Sequence, residues 1–291
     1  MDLLTTIAAT RQYVAGVRHQ GKSIGLVPTM GYLHKGHLTL ARTAREQNDV
    51  VMMSIFVNPT QFGPGEDLDR YPRDLERDQE LAAAAGVEAI FTPPVAEMYP
   101  RGYSTYVQVE GLTEVLCGAS RPGHFRGVAT VVSKLFNIVQ PDRAYFGLKD
   151  YQQAVVIKRM VRDLNFPVDI ITVPTVREPD GLALSSRNKY LSPAQRRSAL
   201  ALYRALNLGA DLIRRGERRA KTVWEAMTRE ILSYPETRVD YVAVCDADTL
   251  EPLLEIKGRV LLALAVWVGN TRLIDNLTLE VKDHVARPDE E

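Results

Sequence analysis

Hydrophobic positions fall into two alternating patterns through the first two-thirds of this chain. Short, nearly unbroken apolar runs at Ser23–Pro28 (SIGLVP), Val50–Val57 (VVMMSIFV), Glu88–Phe91, Arg143–Phe146 and Val168–Val173 have the composition of strands buried on both faces. Between them, apolar residues recur at helical spacing over Thr6–Gln20, Gly36–Asn48, Arg73–Ala85, Gly127–Val139 and Tyr151–Leu164. Gly21 and Gly86 follow two of these segments, where a helix commonly ends on a left-handed residue. Doubly buried strands alternating with helices predict a parallel sheet covered on both sides, the doubly wound, Rossmann-like α/β arrangement.

The pattern changes near Thr175. Two helical stretches follow directly, Pro193–Arg215 and Ala220–Leu232, and then three strand runs at Val239–Cys245, Arg259–Val268 and Arg272–Leu279. This predicts a smaller C-terminal α+β domain over residues 176–282, able to act as a lid, after a nucleotide-binding domain over residues 1–175. The polar end, residues 283–291, reads as a flexible tail.

Composition narrows the possible partners. In 291 residues, lysine plus arginine and aspartate plus glutamate number 36 each, so the chain lacks the basic excess that nucleic-acid or membrane-surface binding normally needs. The most apolar stretch, Arg259–Gly269, is too short to cross a bilayer and reads as a buried strand. Cys117 and Cys245 are the only cysteines; they form no disulfide framework, and with an N-terminus unlike a signal peptide they point to the cytoplasm.

Candidate chemistry gathers where strands end. The first long strand runs into Met30-Gly31-Tyr32-Leu33-His34-Lys35-Gly36-His37, and a helix begins at once. In open α/β sheets ligands bind beyond the carboxyl ends of strands, and a helix N-terminus favours an anion. Gly36 lets a phosphate approach the backbone, and the spacing of His34 and His37 lets both rings meet one bound group. Paired histidines at a helix start are often only caps, so position in the fold carries this reading. A zinc site has less support, with no His-Glu-x-x-His and no third ligand nearby in sequence.

Three further segments fit the same picture. Gly147-Leu148-Lys149-Asp150 follows a strand and opens a helix, with Lys149 as a phosphate cation; Leu184-Ser185-Ser186-Arg187 offers hydroxyls and a guanidinium suited to phosphate oxygens. Asn58 and Gln61 lie at the mouth of the sheet, and an amide can bind a hydroxyl and a carboxylate together. Taken singly, each could be a solvated charge or a turn residue. Arg121 and His124 could equally bind an anion or belong to a wet loop.

The blocks VPTMGYLHKGH, SIFVNPTQFGP, CGASRPGHFRGVATVVSKLFNIVQPDRAYFGLKDYQQ and LALSSRNKYLS closely resemble the motif series of the pantothenate synthetase (pantoate–β-alanine ligase) family, over roughly Ile24 to Ser192. The resemblance implies an ATP-dependent ligase that converts pantoate to pantoyl adenylate with release of pyrophosphate, and then lets β-alanine displace AMP to give pantothenate. It implies ATP bordered by Met30 to His37, Gly147 to Asp150, Val176 and Leu184 to Arg187. Pantoate would be held by Gln61 and Gln153, with Asn58 beside them, and His37 would be a proton donor assisted by His34 and Lys149. It further implies Mg²⁺ on the ATP phosphates and a homodimer. Leu148 stands where a polar residue is expected.

The residue chemistry agrees, because attack at the α-phosphorus needs positioning and stabilisation of phosphoryl charge. His37, at a helix start facing a solvent-filled site, is expected to bury little and to matter to rate more than to stability. A simple nucleotidyltransferase would share the histidine seat without needing the two glutamines. A truncated tRNA synthetase would need an RNA-binding domain, and a non-catalytic nucleotide-binding module would make the donors incidental.

Overall fold

The computed structural model describes residues 1–282 and separates them into two compact units. The segment read as a flexible tail lies outside the described residues. The first unit comprises Met1–Glu178 with Ala183–Ser186; the second holds Pro179–Leu182 and the chain from Arg187 onward.

The first unit is a six-stranded parallel sheet in the order β1-β4-β3-β2-β5-β6. Its strands are β1 (Asp2–Leu4), β2 (Ile24–Thr29), β3 (Val50–Ile55), β4 (Ala89–Phe91), β5 (Arg143–Gly147) and β6 (Asp169–Val173). The helices between them are α1 (Ile7–His19), α2 (Lys35–Gln47), α3 (Leu75–Ala84), the single turns α4 (Val95–Met98) and α5 (Cys117–Ser120), α6 (His124–Val139) and α7 (Tyr151–Asp163). Val27, Val51, Met53 and Ile90 from the strands pack with Leu38, Ala41 and Ala44 from α2 in one buried cluster. That burial is the main stabilising term for these strands.

The differences from the sequence reading have local causes. The sequence pattern does not predict β1, because three largely exposed residues carry no periodic signal and become a strand only by pairing with Ala89–Phe91. Helix α6 starts at His124, ahead of Gly127, since Gly123 adopts the left-handed turn that launches it (φ +83°).

The second unit carries α8 (Pro193–Ser198), α9 (Leu200–Arg214), α10 (Ala220–Leu232) and an antiparallel sheet of β7 (Thr237–Asp246), β8 (Gly258–Val268) and β9 (Thr271–Val281) in the order β7-β8-β9. The stretch read as one helix from Pro193 to Arg215 is two, meeting at Ala199, where Leu202 N–H bonds three residues back to the Ala199 carbonyl. That tighter bond is the 3₁₀ type. The most apolar run of the sequence is the central strand β8, and no helix among the described residues is long and apolar enough to cross a membrane. Gly209 on α9 lets the helices close up, because a Cβ there would lie 2.7 Å from Met227 Sδ and 3.0 Å from Leu262 Cδ1.

Candidate active site

The connections along the sheet run one way from β2 through β3 to β4 and the other way from β5 to β6, so the order reverses between β2 and β5. Such a switch point opens a crevice at the carboxyl ends of the two strands. Here the split is sharp: β2 pairs with β5 only at Gly25–Arg143 and Leu26–Ala144, whereas β5 stays paired with β6 through Gly147. Pro28 fits this geometry. The carbonyls of Ser23 and Thr29 face β3 and that of Ile24 faces β5, so by alternation the Pro28 nitrogen faces β5 beyond the end of that ladder. A residue without an N–H therefore leaves no ladder donor unmade.

The chain leaves β2 through a tight corner. Gly31 and Tyr32 both have positive φ, +83° and +51°, and a Cβ on Gly31 would lie 2.9 Å from Ile55 Cγ2. The buried carboxylate of Asp78 on α3 accepts the backbone N–H groups of Tyr32 and Leu33, each at 2.7 Å. Burial pushes Asp78 up, against the pull of these two bonds. Arg77 lies 5.2 Å over the Tyr32 ring. Sequence reasoning misses Asp78; its signal is an acid in phase with Ala82 on the buried face of α3.

His34 caps α2. Its Nδ1 accepts the Gly36 N–H at 3.2 Å, His37 Nδ1 accepts the His34 N–H at 3.3 Å, and the rings stack with centroids 4.0 Å apart. An imidazole that accepts at Nδ1 carries its proton at Nε2, so both rings are neutral donors through Nε2–H. Burial, with help from Lys149, lowers His34 to about 4; burial, then His34 and Lys149, hold His37 well below its ordinary value.

The sequence leaves the charge of the two rings open, and their surroundings favour the neutral form. Two expectations change here. Among the helix-start N–H groups that the sequence reading offers to an anion, those of His34 and Gly36 are taken by the imidazoles. Gly36 makes room for a ring, since a Cβ there would press 3.0 Å against His34. The expectation that His37 buries little is corrected in part: the residue is half-buried, its ring stacks on His34, and its Nδ1 belongs to the cap.

The second wall follows β3. Asn58 is 1% exposed, and its amide is fully engaged. Nδ2 donates to Gln61 Oε1 and to the Gly127 carbonyl, both at 3.0 Å, while Oδ1 accepts from Tyr99 at 2.8 Å and from Thr60 at 2.9 Å. The sequence groups Asn58 with the substrate ligands; with no polar atom left over, it orients Gln61 instead. Gln61 Nε2 donates to Met30 Sδ at 3.1 Å, which joins this wall to the loop after β2.

Behind it, the Gln61 carbonyl lies 2.8 Å from His124 Nδ1, and His124 Nε2 lies 3.2 Å from Arg121. Arg121 in turn grips Glu66 by two bonds of 2.7 and 2.5 Å. Burial would raise Glu66, but Arg121 outweighs it and holds the carboxylate low; burial and Arg121 lower His124 to about 4. Arg121 and His124 are thus neither a free anion site nor a wet loop, but a brace behind Gln61.

The third wall follows β5. Gly147 ends the strand and Leu148–Asp150 form a 3₁₀ turn in which Lys149 stands 3.8 Å from Asp150. Lys149 acts electrostatically on both His34 and His37, which brings the loops after β2 and β5 into one field. On α7 two adjacent glutamines part ways. Gln152 is buried and fully used, accepting from Cys117 N–H at 3.0 Å and donating to the Leu112 and Val115 carbonyls at 2.8 Å. Gln153 is half-buried, and its side chain shows no hydrogen bond among the described residues.

Val176 and Leu184 are joined by a backbone bond of 3.0 Å, and Ser185 and Ser186 follow in the same unit. Arg187 falls in the second unit.

The chain matches the family model described as pantoate-beta-alanine ligase over residues 2–278. It is 78% identical over 283 residues to a pantothenate synthetase of Moorella thermoacetica, covering 97% of this chain and all of that one. A pantothenate synthetase of Acetivibrio thermocellus is 60% identical over 97% of this chain and all of its own length. Among solved structures, a Thermus thermophilus pantothenate synthetase superposes with a TM-score of 0.91 at 52% identity, covering 95% of this chain and 99% of that one. The Francisella tularensis pantoate-beta-alanine ligase, solved as a complex with beta-gamma ATP and beta-alanine, gives 0.78 at 35% identity, with coverage of 95% and 97%.

Proposed function

This chain belongs to the pantoate–β-alanine ligase family, and from that premise we propose how its residues carry the ligation at the carboxyl ends of β2 and β5. The enzyme is an ATP-dependent ligase that condenses pantoate with β-alanine to give pantothenate. A carboxylate resists amine attack, so it must first be made a mixed anhydride. In the proposed first step a pantoate carboxylate oxygen attacks the α-phosphorus of ATP, the bond to the bridging oxygen breaks, and pyrophosphate leaves. In the second, the β-alanine nitrogen attacks the acyl carbon of pantoyl adenylate, loses a proton, and AMP departs.

The stacked neutral His34–His37 pair at the switch point carries this reading. Two Nε2–H donors held by the backbone are preorganised for phosphoryl oxygens, the interaction worth most where charge grows in the transition state. Rings this hard to protonate bind as hydrogen-bond donors, so the proton-donor role implied by resemblance becomes one of charge stabilisation. Lys149 adds a cation beside them. Gln61 and Gln153 bind pantoate, with Gln61 held in place by Asn58 and the adjoining β-alanine seat beside it. Met30 to His37, Gly147 to Asp150, Val176, Leu184, Ser185, Ser186 and Arg187 border the nucleotide. The Francisella relative, bound to beta-gamma ATP and beta-alanine, supports the same ligands for this chain.

Mg²⁺ belongs to the proposal as a companion of the ATP phosphates. Hard oxygen donors suit it, and Asp150 is the carboxylate at this seat. No group of three His, Cys, Asp or Glu among the described residues is placed to cage a metal alone, so phosphates and water would supply most of its ligands. Bound there, it neutralises phosphate charge. A homodimer is proposed from the family resemblance, and a cytoplasmic location from Cys117 and Cys245, both buried and neither in a disulfide.

The test is to incubate the protein with ATP, Mg²⁺ and pantoate and to identify the products. Pantoate-dependent AMP and pyrophosphate, with full turnover requiring β-alanine, is the expected result. ADP and phosphate would mean an acyl-phosphate ligase and end this reading.

A further inference from the structure

We propose that Asp78 is a positioning residue for adenylation: it sets the histidine cradle by clamping the corner between β2 and α2. The inference rests on the reading that the ATP phosphates sit against His34 and His37. Between Thr29 and the first turn of α2 the chain makes one left-handed corner, at Gly31 and Tyr32. Three backbone donors in a row fasten it. Thr29 Oγ1 receives the Gly31 N–H at 3.2 Å, and the two following N–H groups both go to Asp78, one to each carboxylate oxygen, at 2.7 Å.

Asp78 is 1% exposed, so it cannot itself meet a ligand. What it controls comes immediately afterwards in the chain. The next residue is His34, whose own N–H bonds His37 Nδ1 and whose ring caps the helix. The orientation of both imidazoles is therefore referred, through the backbone, to one carboxylate on α3. Arg77 adds a second hold from the same helix turn, lying over the Tyr32 ring. A carboxylate is the side chain for this task because it offers two acceptors and no donor. An amide in its place would turn an N–H toward one of the two backbone N–H groups and release the corner.

Displacing catalytic donors by about an ångström costs on the order of a hundredfold in rate. Asp78→Asn is therefore expected to slow single-turnover pyrophosphate release from ATP and pantoate by about that factor, measured well below its melting temperature. The pantoate KM should move far less than the rate, because Asn58 and His124 hold Gln61 from outside this corner and Met30 is its link to the loop. ¹⁵N imidazole spectra give a readout that a merely structural aspartate would not move: His34 and His37 should lose the uniform Nε2–H tautomer of the wild type.

A folded Asp78→Asn protein with near wild-type rate and unchanged imidazole tautomers would overturn the proposal. If that variant does not fold, Gly31→Ala tests the same corner with the carboxylate intact, since its Cβ would lie 2.9 Å from Ile55 Cγ2 and 3.0 Å from Asp78 Oδ2. The same slowing and tautomer change are expected there, and their absence counts against the proposal equally. Should the wild type itself release no pyrophosphate with pantoate, the functional reading fails, and the imidazole spectra alone decide the role of Asp78.

Discussion

Asn58 holds Gln61 by a 3.0 Å bond from Nδ2 to Oε1, and so fixes which way the Gln61 amide faces. With its oxygen engaged and its nitrogen against Met30, Gln61 has one rotamer to offer a substrate. Removing Asn58 takes one hydrogen bond each from the Gln61 amide, the Gly127 carbonyl and the Tyr99 hydroxyl, at a cost of about 1 kcal/mol for each bond lost. Asn58→Ala should lower the melting temperature and raise the pantoate KM. Gln61→Ala should raise the pantoate KM sharply while ATP affinity stays within about twofold. Steady-state titrations of each substrate distinguish the two; equal loss of ATP and pantoate affinity in Gln61→Ala would show a structural segment instead.

The neighbouring glutamines on α7 should divide stability from function. Gln152 makes three buried bonds to Cys117, Leu112 and Val115, so Gln152→Ala should cost on the order of 2 kcal/mol or more in a denaturant melt. Gln153→Ala should leave the melt nearly unchanged and weaken pantoate binding. Reversal of the two phenotypes would remove Gln153 from the site.

The three lowered histidines make a pH prediction with a definite sign. An unfolded imidazole takes its proton near 6.5, while His34 and His124 do so at about 4 in the folded chain. Between those values the unfolded chain binds more protons, so stability is full above about pH 6.5 and falls as the pH drops toward 4. Direct NMR titration should find His34, His37 and His124 neutral at pH 6. A midpoint near 6.5 for His34 or His37 would contradict the neutral-donor assignment.

His37→Ala should affect both rate and fold. Loss of one preorganised donor typically costs ~3 kcal/mol, a hundredfold or more in pyrophosphate release. Loss of its part in the cap should remove about 1 kcal/mol of stability. Lys149→Ala should slow the same step, and His19→Ala, at the exposed end of α1, should change neither. Single-turnover release beside a thermal melt checks all three, and a near wild-type rate for His37→Ala would void its role.

What the sequence made legible depended on whether the signal was local. The strands β2, β3 and β5 and the helices between them were readable because buried runs and helical periodicity are written in consecutive residues. The loop motifs at His34, Gln61 and Lys149 were readable because each follows a strand end. Which amides remain for a substrate was not readable. Asn58 and Gln153 look alike in sequence, and only the partners brought by Tyr99 and Gly127 use up the first. Asp78 shows in the sequence only as an acid in phase with the buried face of α3, and its role was not readable because the backbone it clamps lies forty-odd residues away. The protonation of His34 and His37 also depends on neighbours, through burial and the backbone N–H that each Nδ1 accepts.

The central claim, that the pantoate carboxylate is bonded to AMP before β-alanine enters, can be read from one isotope. Pantoate labelled with ¹⁸O in its carboxylate is turned over with ATP, Mg²⁺ and β-alanine, and the phosphate products are weighed by mass spectrometry. Attack at the α-phosphorus leaves the attacking oxygen on that phosphorus when the acyl–oxygen bond breaks, so one ¹⁸O should appear in AMP and none in pyrophosphate. Unlabelled AMP, or label in inorganic phosphate, would contradict the account.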